Sequence, residues 1–487
     1  MSQPNVEITE LDGSLGILPT TSGRLLAVAG VSSQGPVDTP AAFARVIDLI
    51  ASFGTGPAVE AAAIMIERFG KPVLFTRTGQ TTAGTFPAGT VTVQPGTGTC
   101  VAVVDAVGTA PWDDYEFAIL VTAGGTIGTP GITFQWSLDN GRTLSPVTAL
   151  GAATSFVFPE SGGVQVDFGA GTLVLGDTIT FRGSAPKWNT TEMGTALDAL
   201  FASGVAWENA EIVGDLEPAD MVLVDSKFSA GLTRGKYKGW IGSVRMENIG
   251  ETPAAYSASL DAAWGASASV YGEVCAAAAR TLSSVSGRQY RRPVAFTVAP
   301  REQSVSEEIN IADTNLGSLP GVSIRDSNGN AVEHDESING GLDDLRFTVL
   351  RTFDELQGVY VNRPRVFSAA GSDFDIFPKR RVMNIAHAAL RNYFVRRLSK
   401  AVRVDLETGF ILESDALEIE TGARRAMASA LLAKPKASGI QFTLSRTDNI
   451  LSTKTLTGNA RVIPLAYPEK FEIDVGFLNP ALQVLAA

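Results

Sequence analysis

Enzyme chemistry needs a few residue types brought together, and this sequence offers them sparingly. It has two histidines, His334 and His387, and two cysteines, Cys100 and Cys275. His334 falls in an expected hairpin beside Asp335 and Glu336, and His387 falls in a basic helical segment. Each reads as a lone surface or helix-packed imidazole. The cysteines lie far apart without metal-ligand spacing and read as small buried hydrophobes from a reducing compartment. There is no nucleophile-elbow serine motif. The Gly-rich stretches FGTGP (53–57) and AGGTIGTPG (123–131) lack the lysine of a phosphate loop. The first reads as a turn into a helix and the second as a loop between strands. Asp113, Asp114 and Glu116 could supply paired carboxylates for glycoside cleavage. They read better as a solvated β surface or a weak cation site. Asp343 and Asp344 read as first-turn charges of a short helix. No catalytic residue, metal ligand or cofactor is assigned.

The stronger signal is electrostatic. Residues 379–403 hold eight basic residues and no acidic one: Lys379, Arg380, Arg381, Arg391, Arg396, Arg397, Lys400 and Arg403. The whole chain carries a formal charge of −12. At 3.6 residues per turn the eight charges surround a helix about 37 Å long instead of sharing a face. Nucleic acid is a poor partner, since only Tyr393 and Phe394 interleave and the rest of the chain repels phosphate. Some charges can pair with Glu413, Asp415, Glu418 and Glu420 on the next helix. Some stems can snorkel over packing surfaces. Others remain to face an acidic partner.

The elements that position this helix follow from pattern. At 487 residues the chain suggests about three domains. RLLAVAGV (24–31) reads as a buried strand, followed by helices near 41–51 and over GPAVEAAAIMIERFG, with Pro57 in the first turn and Gly70 past the end. KPVLFTR supplies a second strand, Val73 to Arg77, giving a βα-type unit with a parallel sheet. From 79 to 186 eight acidic residues face only two basic ones, Arg142 and Arg182. GITFQWSLDNGRTLSPV alternates Ile132, Phe134 and Trp136 on one face and turns at Asn140-Gly141. GTLVLGDTITFR suggests another strand pair about a Gly-Asp turn. Residues 79–186 therefore read as an inserted β-sandwich-like domain that splits the α/β domain.

Beyond it, MVLVDSKF, KGWIGSVRM and RRPVAFTVA read as strands. SASLDAAWGASASVYGEVCAAAARTLSSV reads as a long Ala-rich helix interrupted at Gly265. VSIRDSNGNAVEHD reads as a hairpin about Asn328-Gly329. From about Gly371 the pattern becomes two helices, 378–404 and 413–433, and then IQFTLS, ARVIPL and KFEIDVGF. No run approaches the roughly 20 apolar residues of a membrane helix. MSQPNVEITELDG lacks the blocks of a secretory signal, so folding in the cytosol is expected.

The two ends form a second pattern. Val6 and Ile8 alternate with acidic residues ahead of Gly13, Ser14 and Gly16. Phe471, Ile473, Val475 and Phe477 alternate with polar or small residues. Such short strands can pair with their own sheet or add to a neighbour's edge. RLLAVAGVSSQGPVDTP, FGTGPAVEAAA, KPVLFTR, GVYVNRPRVFSAAGSDFDIFPKRRVMN and ARVIPLAYPEKFEIDVGF together resemble contractile phage tail sheath proteins across most of the chain.

The resemblance implies an α/β and α+β multidomain subunit. Its parts are an N-terminal arm (1–20), a split core (21–78 and 187–370), an outer β domain (79–186) and a C-terminal tube-facing domain (371–487). It implies a homopolymer around an inner tail tube, with baseplate and tail terminator proteins as further partners and neither nucleic-acid binding nor membrane insertion. It places the subunit in the virion tail, assembled in the host cytoplasm, and makes it a structural protein that contracts for genome delivery. Val6, Ile8, Phe471, Ile473 and Val475 would exchange strands between subunits, by the segment from Phe471 or by ALQVLAA. The eight basic residues would face the tube. Two other readings stand beside it, a bacterial contractile injection device and a virion protein that binds or cleaves carbohydrate.

Overall fold

The computed structural model describes residues 25–477, apart from 87–88, 92, 95–97, 107–109, 249, 326–333 and 338–339. The N-terminal segment with Val6 and Ile8, the ALQVLAA tail and the Asn328-Gly329 turn lie outside the described residues. The protein is a mixed α/β multidomain chain with several sheets. It divides into two compact units at Ala401/Val402. The sequence puts this boundary near Gly371. The helix Phe377–Val395 belongs instead to the first unit, because Phe377, Arg381, Val382, Ile385 and Ala386 are buried within it.

The first unit is built on a six-stranded sheet in the order Gly272–Cys275, Gly239–Val244, Trp207–Leu216, Leu25–Gly30, Val73–Arg77, Ala41–Phe43. The first five run parallel and the last antiparallel. Leu25–Gly30 is buried along its whole length because helices cover both faces. Leu26 and Val28 enter one core with helices Val46–Phe53, Pro57–Phe69 and Ala295–Ser304. Leu25, Ala27 and Ala29 enter the other with helices Thr190–Ala202, Pro218–Thr233 and Pro253–Trp264. Pro57 does open its helix, and Gly70 ends it in the left-handed region at φ 62°.

Several expected elements change type. MVLVDSKF lies inside the helix Pro218–Thr233, started by a Glu217/Asp220 capping box. Met221, Val224 and Phe228 recur at helical spacing and carry the buried face. The long Ala-rich helix stops at Trp264, and its second half becomes strands Gly272–Cys275 and Ala278–Leu282. The alanines there serve close packing: Ala276 to Ala279 are at most 1% exposed, and Ala277 takes a positive φ of 68°. RRPVAFTVA is a strand only to Pro293 and then turns into the helix Ala295–Ser304. The helix expected from residue 41 starts at Val46, after the edge strand Ala41–Phe43.

Between Gly89 and Gly183 the described residues form a five-stranded and a four-stranded antiparallel sheet that share one core, with a further two-stranded pair. The five-stranded sheet runs Thr148–Ala149, Thr133–Ser137, Tyr115–Ala123, Thr178–Gly183, Val93–Gln94. The four-stranded sheet runs Ser155–Val157, Val164–Phe168, Ala102–Ala106, Gly89–Val91. Asn140 and Gly141 both have positive φ, 58° and 78°, as a type I′ turn requires. GTLVLGDTITFR is not a hairpin: Thr172–Leu173 pairs with Gly125–Thr126, and Thr178–Gly183 pairs with Tyr115–Leu120.

In the second unit, helix Glu413–Leu431 buries Ala416, Ile419, Ala423, Met427 and Leu431. A hairpin of Gly439–Leu444 and Gly458–Ile463 contributes Phe442 and Leu444 to its apolar surface. Arg446 ties the two ends of this helix's first half by pairing with both Glu413 and Glu420 at 2.7 Å.

Close approach explains why Gly272 is a glycine. A Cβ there would stand 2.1 Å from the Trp240 indole, which is itself fully buried. Gly272→Ala is expected to destabilise the first unit by about 1–3 kcal/mol through overpacking. Urea unfolding followed by tryptophan fluorescence reads this as a lowered midpoint.

Candidate assembly surfaces

The groups that could do chemistry are occupied structurally. Asp113 is buried, and both its oxygens accept from Arg292 at 2.6 and 2.7 Å. Burial raises the Asp113 pKa, and Arg292 opposes the shift. Glu116 accepts from Arg182 at 2.8 Å and pairs with Arg280 at 2.6 Å. Burial works against its ionisation, but the two guanidiniums prevail and hold it below the usual carboxylate range. The expected solvated acidic surface is thus corrected. These acids form a buried ionic seat that fastens the inserted sandwich to the strands Ala278–Leu282 and Gln289–Pro293. Asp139 adds to it by accepting from the Gln289 N–H at 3.0 Å.

His334 is also buried, not exposed, and shares a hydrogen bond of 3.0 Å with Glu336. His387 packs against Tyr237 with ring centroids 5.1 Å apart and the rings tilted by 49°, and burial together with Arg380 lowers its pKa. Asp343 sits in a turn, not a helix, and pairs with Arg365 at 3.2 Å. Both cysteines are free and buried. Among the described residues no cluster of His, Cys, Asp and Glu could hold a metal ion, and no helix is long and apolar enough to cross a membrane.

The basic segment divides in two. Its first turns are a root. Arg381 is 1% exposed and donates to Glu208 at 3.0 Å, Glu302 at 2.9 Å and the Val305 carbonyl at 3.1 Å. Burial alone would lower its pKa, but the two carboxylates raise it. Arg380 is buried against the faces of Tyr271 and Phe374, and desolvation lowers its pKa to about 10. Lys379 pairs with Asp375 at 2.7 Å. Arg380 and Arg381 are therefore removed from the set of outward-facing residues: the sequence shows their charge but not the distant rings of Tyr271 and Phe374 that cover one or the distant carboxylates of Glu208 and Glu302 that bind the other.

The later turns are a tip. Arg391, Arg396 and Lys400 are exposed and have no ion-pair partner among the described residues. Arg397 lies over the Tyr393 ring at 5.2 Å. Arg403 belongs to the second unit and pairs with Asp415, which Arg403 holds down to about 2. The expected pairing with the next helix is thus realised at Arg403.

The C-terminal segment offers a different surface. Phe471, Ile473, Val475 and Phe477 are 76%, 77%, 92% and 111% exposed. None of 471–477 joins a strand ladder among the described residues. The preceding hairpin is two-stranded: the Leu444 N–H donates to Glu420 at 2.8 Å and the Phe442 carbonyl accepts from Arg424 at 3.0 Å, so helix Glu413–Leu431 occupies the outer edge of Gly439–Leu444, while no strand pairs with the outer edge of Gly458–Ile463 among the described residues. A two-stranded sheet is marginal alone and is a natural acceptor for an added strand.

The family model of the DUF2586 N-terminal domain matches residues 3–365. No curated protein matches the chain. Among solved structures, a sheath tail protein from Listeria innocua is 13% identical, covering 92% of this chain and 97% of its own, with a TM-score of 0.44. A sheath tail protein from Desulfitobacterium hafniense is 12% identical, covering 95% and 100%, with a TM-score of 0.42. A chain of the anti-feeding prophage baseplate in its contracted state is 12% identical, covering 98% of both, with a TM-score of 0.47.

Removing one partner of the buried seat strands the other. Asp113→Ala is expected to cost about 3–5 kcal/mol, and adding Arg292→Met to recover much of the loss. Chemical unfolding of the two variants checks this, and equal losses in both would contradict it.

Proposed function

We propose that this chain, which belongs to the DUF2586 family, is a structural and non-enzymatic subunit of a contractile tail sheath. It polymerises with copies of itself around an inner tube and contracts to drive that tube through a bacterial envelope. Genome delivery by a phage is the form taken here, and a bacterial injection device built from the same subunit type is the alternative. The observation that carries the reading is the exposed, alternating apolar segment Phe471–Phe477 after a two-stranded hairpin whose outer edge at Gly458–Ile463 pairs with no strand among the described residues. The sequence strings that resemble sheath proteins support it independently.

In this reading the tail of one copy adds to the hairpin of another, and the N-terminal segment with Val6 and Ile8 does the same at a second edge. About five backbone bonds at ~0.5–1.5 kcal/mol each give a few kcal/mol per strand, repeated along a polymer. The tip of the basic helix, Arg391, Arg396 and Lys400 with Arg397, faces an acidic tube. Exposed pairs of this kind are weak and salt-screened. A sheath that must slide along its tube needs contacts of that strength.

Truncation after Lys470 and deletion of Met1 to Leu11 are each expected to leave folded monomers that form no tubes under negative-stain microscopy. Normal tubes from both would sink the strand-exchange reading. Changing Arg391, Arg396 and Lys400 together to Glu is expected to lower tube decoration and its salt sensitivity while leaving the circular dichroism unchanged. Undiminished decoration would assign these residues another role.

A further inference from the structure

One face of the core sheet carries polar groups that a packed interior does not need. Register places Phe75, Val28, Glu211, Ile241 and Glu273 side by side across four strand pairings. The flanking Phe75, Val28 and Ile241 belong to the apolar core under helix Ala295–Ser304. Glu211, Glu273 and the helix's own Glu302 are all 0% exposed. Neither oxygen of Glu211 has a hydrogen-bond partner among the described residues. Glu273 accepts from the Thr348 hydroxyl at 2.8 Å, and its other oxygen is unpartnered. Glu302 accepts from Arg381 at 2.9 Å through one oxygen only.

The groups facing this row come from five elements. Strand Trp207–Leu216 adds Glu208, which takes Arg381 at 3.0 Å, and Asn209, which donates to Gln303 at 3.2 Å. The edge strand adds the Cys275 thiol, whose pKa is pushed up by burial and then by Glu273, Glu211 and Glu302. Lys71 precedes the strand Val73–Arg77 and donates to the carbonyls of Gln303 and Ser304. Arg381 comes from the basic helix. Four carboxyls therefore face two cations. An ionised carboxylate without a partner at this depth is prohibitively costly, so protons must make up the difference. Burial pushes Glu211 far up, and burial followed by the Glu302 charge does the same to Glu273. Burial raises Glu302 to about 7 against the pull of Arg381.

We propose that the Glu211–Glu273–Glu302 row is a proton-loaded latch that holds helix Ala295–Ser304 on the sheet and, through Arg381, seats the root of the basic helix. When the seat opens, water reaches the carboxyls and their pKa values return toward 4.5. The closed state binds more protons than the open one, so closure is favoured most below that pH and weakens as pH rises toward the closed-state values. Each group that keeps its proton weakens closure about tenfold per pH unit across that window. The helix Glu413–Leu431 carries the opposite sign: Arg446 lowers Glu413 and Glu420, so its closure weakens as pH falls.

The test is amide hydrogen exchange on the full chain from pH 5 to 8.5, corrected for intrinsic rates. Peptides covering 295–304 and 377–390 should open at least tenfold more per pH unit over part of this range. Helix Glu413–Leu431 should not follow. The Glu211→Gln/Glu273→Gln variant copies the protonated shape of two of the three groups and should reduce the slope to the part Glu302 supplies. A flat wild-type profile overturns the latch, and so does a double variant whose slope is as steep as the wild type's. Should the double variant fail to fold, Glu273→Gln alone must reduce the slope, and an unchanged slope in it overturns the latch equally.

Discussion

Phe471, Ile473, Val475 and Phe477 stand in water because nothing in their own unit covers them. Folding normally hides side chains of this size, and each hidden one contributes roughly 1.5–3 kcal/mol. Four of them spaced by two carry the alternation of a strand's apolar face, on a segment that pairs with no sheet among the described residues. A short hairpin whose outer edge at Gly458–Ile463 pairs with no strand among the described residues lies just before them in sequence. These two features, a strand lacking a sheet and a sheet lacking strands, are complementary, and the account of the chain as a polymer subunit rests on that complementarity.

The first unit is built to hold its elements in fixed positions. A six-stranded sheet covered on both faces carries the basic helix, and the helix is anchored by charge as well as by apolar burial. Arg381 reaches two carboxylates from different elements, and Arg292 engages both oxygens of the single carboxylate Asp113. Buried ion pairs of this kind add little net stability over apolar packing. What they give is a defined position. Only the matching carboxylate geometry satisfies the guanidinium, so the sandwich and the helix root are each fixed in one register on the core. The helix tip, by contrast, keeps exposed charges that can be exchanged between partners at small cost.

Local signals were legible in the sequence where a single residue type had one mechanical use. Asn140-Gly141 marked a type I′ turn, Pro57 and Gly70 bracketed a helix, and LLAVAG announced a strand buried on both faces. The alternation in KFEIDVGF was visible too. Signals failed where the deciding partner lay far away. Asp113 and Arg292 are separated by 179 positions, so three clustered acids looked like a wet surface. Arg381 looked like one more exposed charge because Glu208 and Glu302 come from other elements. The alanines after Gly265 looked helical by propensity, yet tight tertiary packing and a positive φ at Ala277 break that helix. In MVLVDSKF a run of adjacent apolar residues masked the 3.6-residue spacing of Met221, Val224 and Phe228.

The central claim is that copies of this chain grip one another through the backbone edges that each leaves open. A density map of the assembled polymer, at a resolution that traces main chain, addresses it most directly. It should show residues 471–477 as a strand hydrogen-bonded to the hairpin Gly439–Ile463 of a different copy. A map in which that segment folds back onto its own hairpin, with copies touching only through side chains, would contradict it.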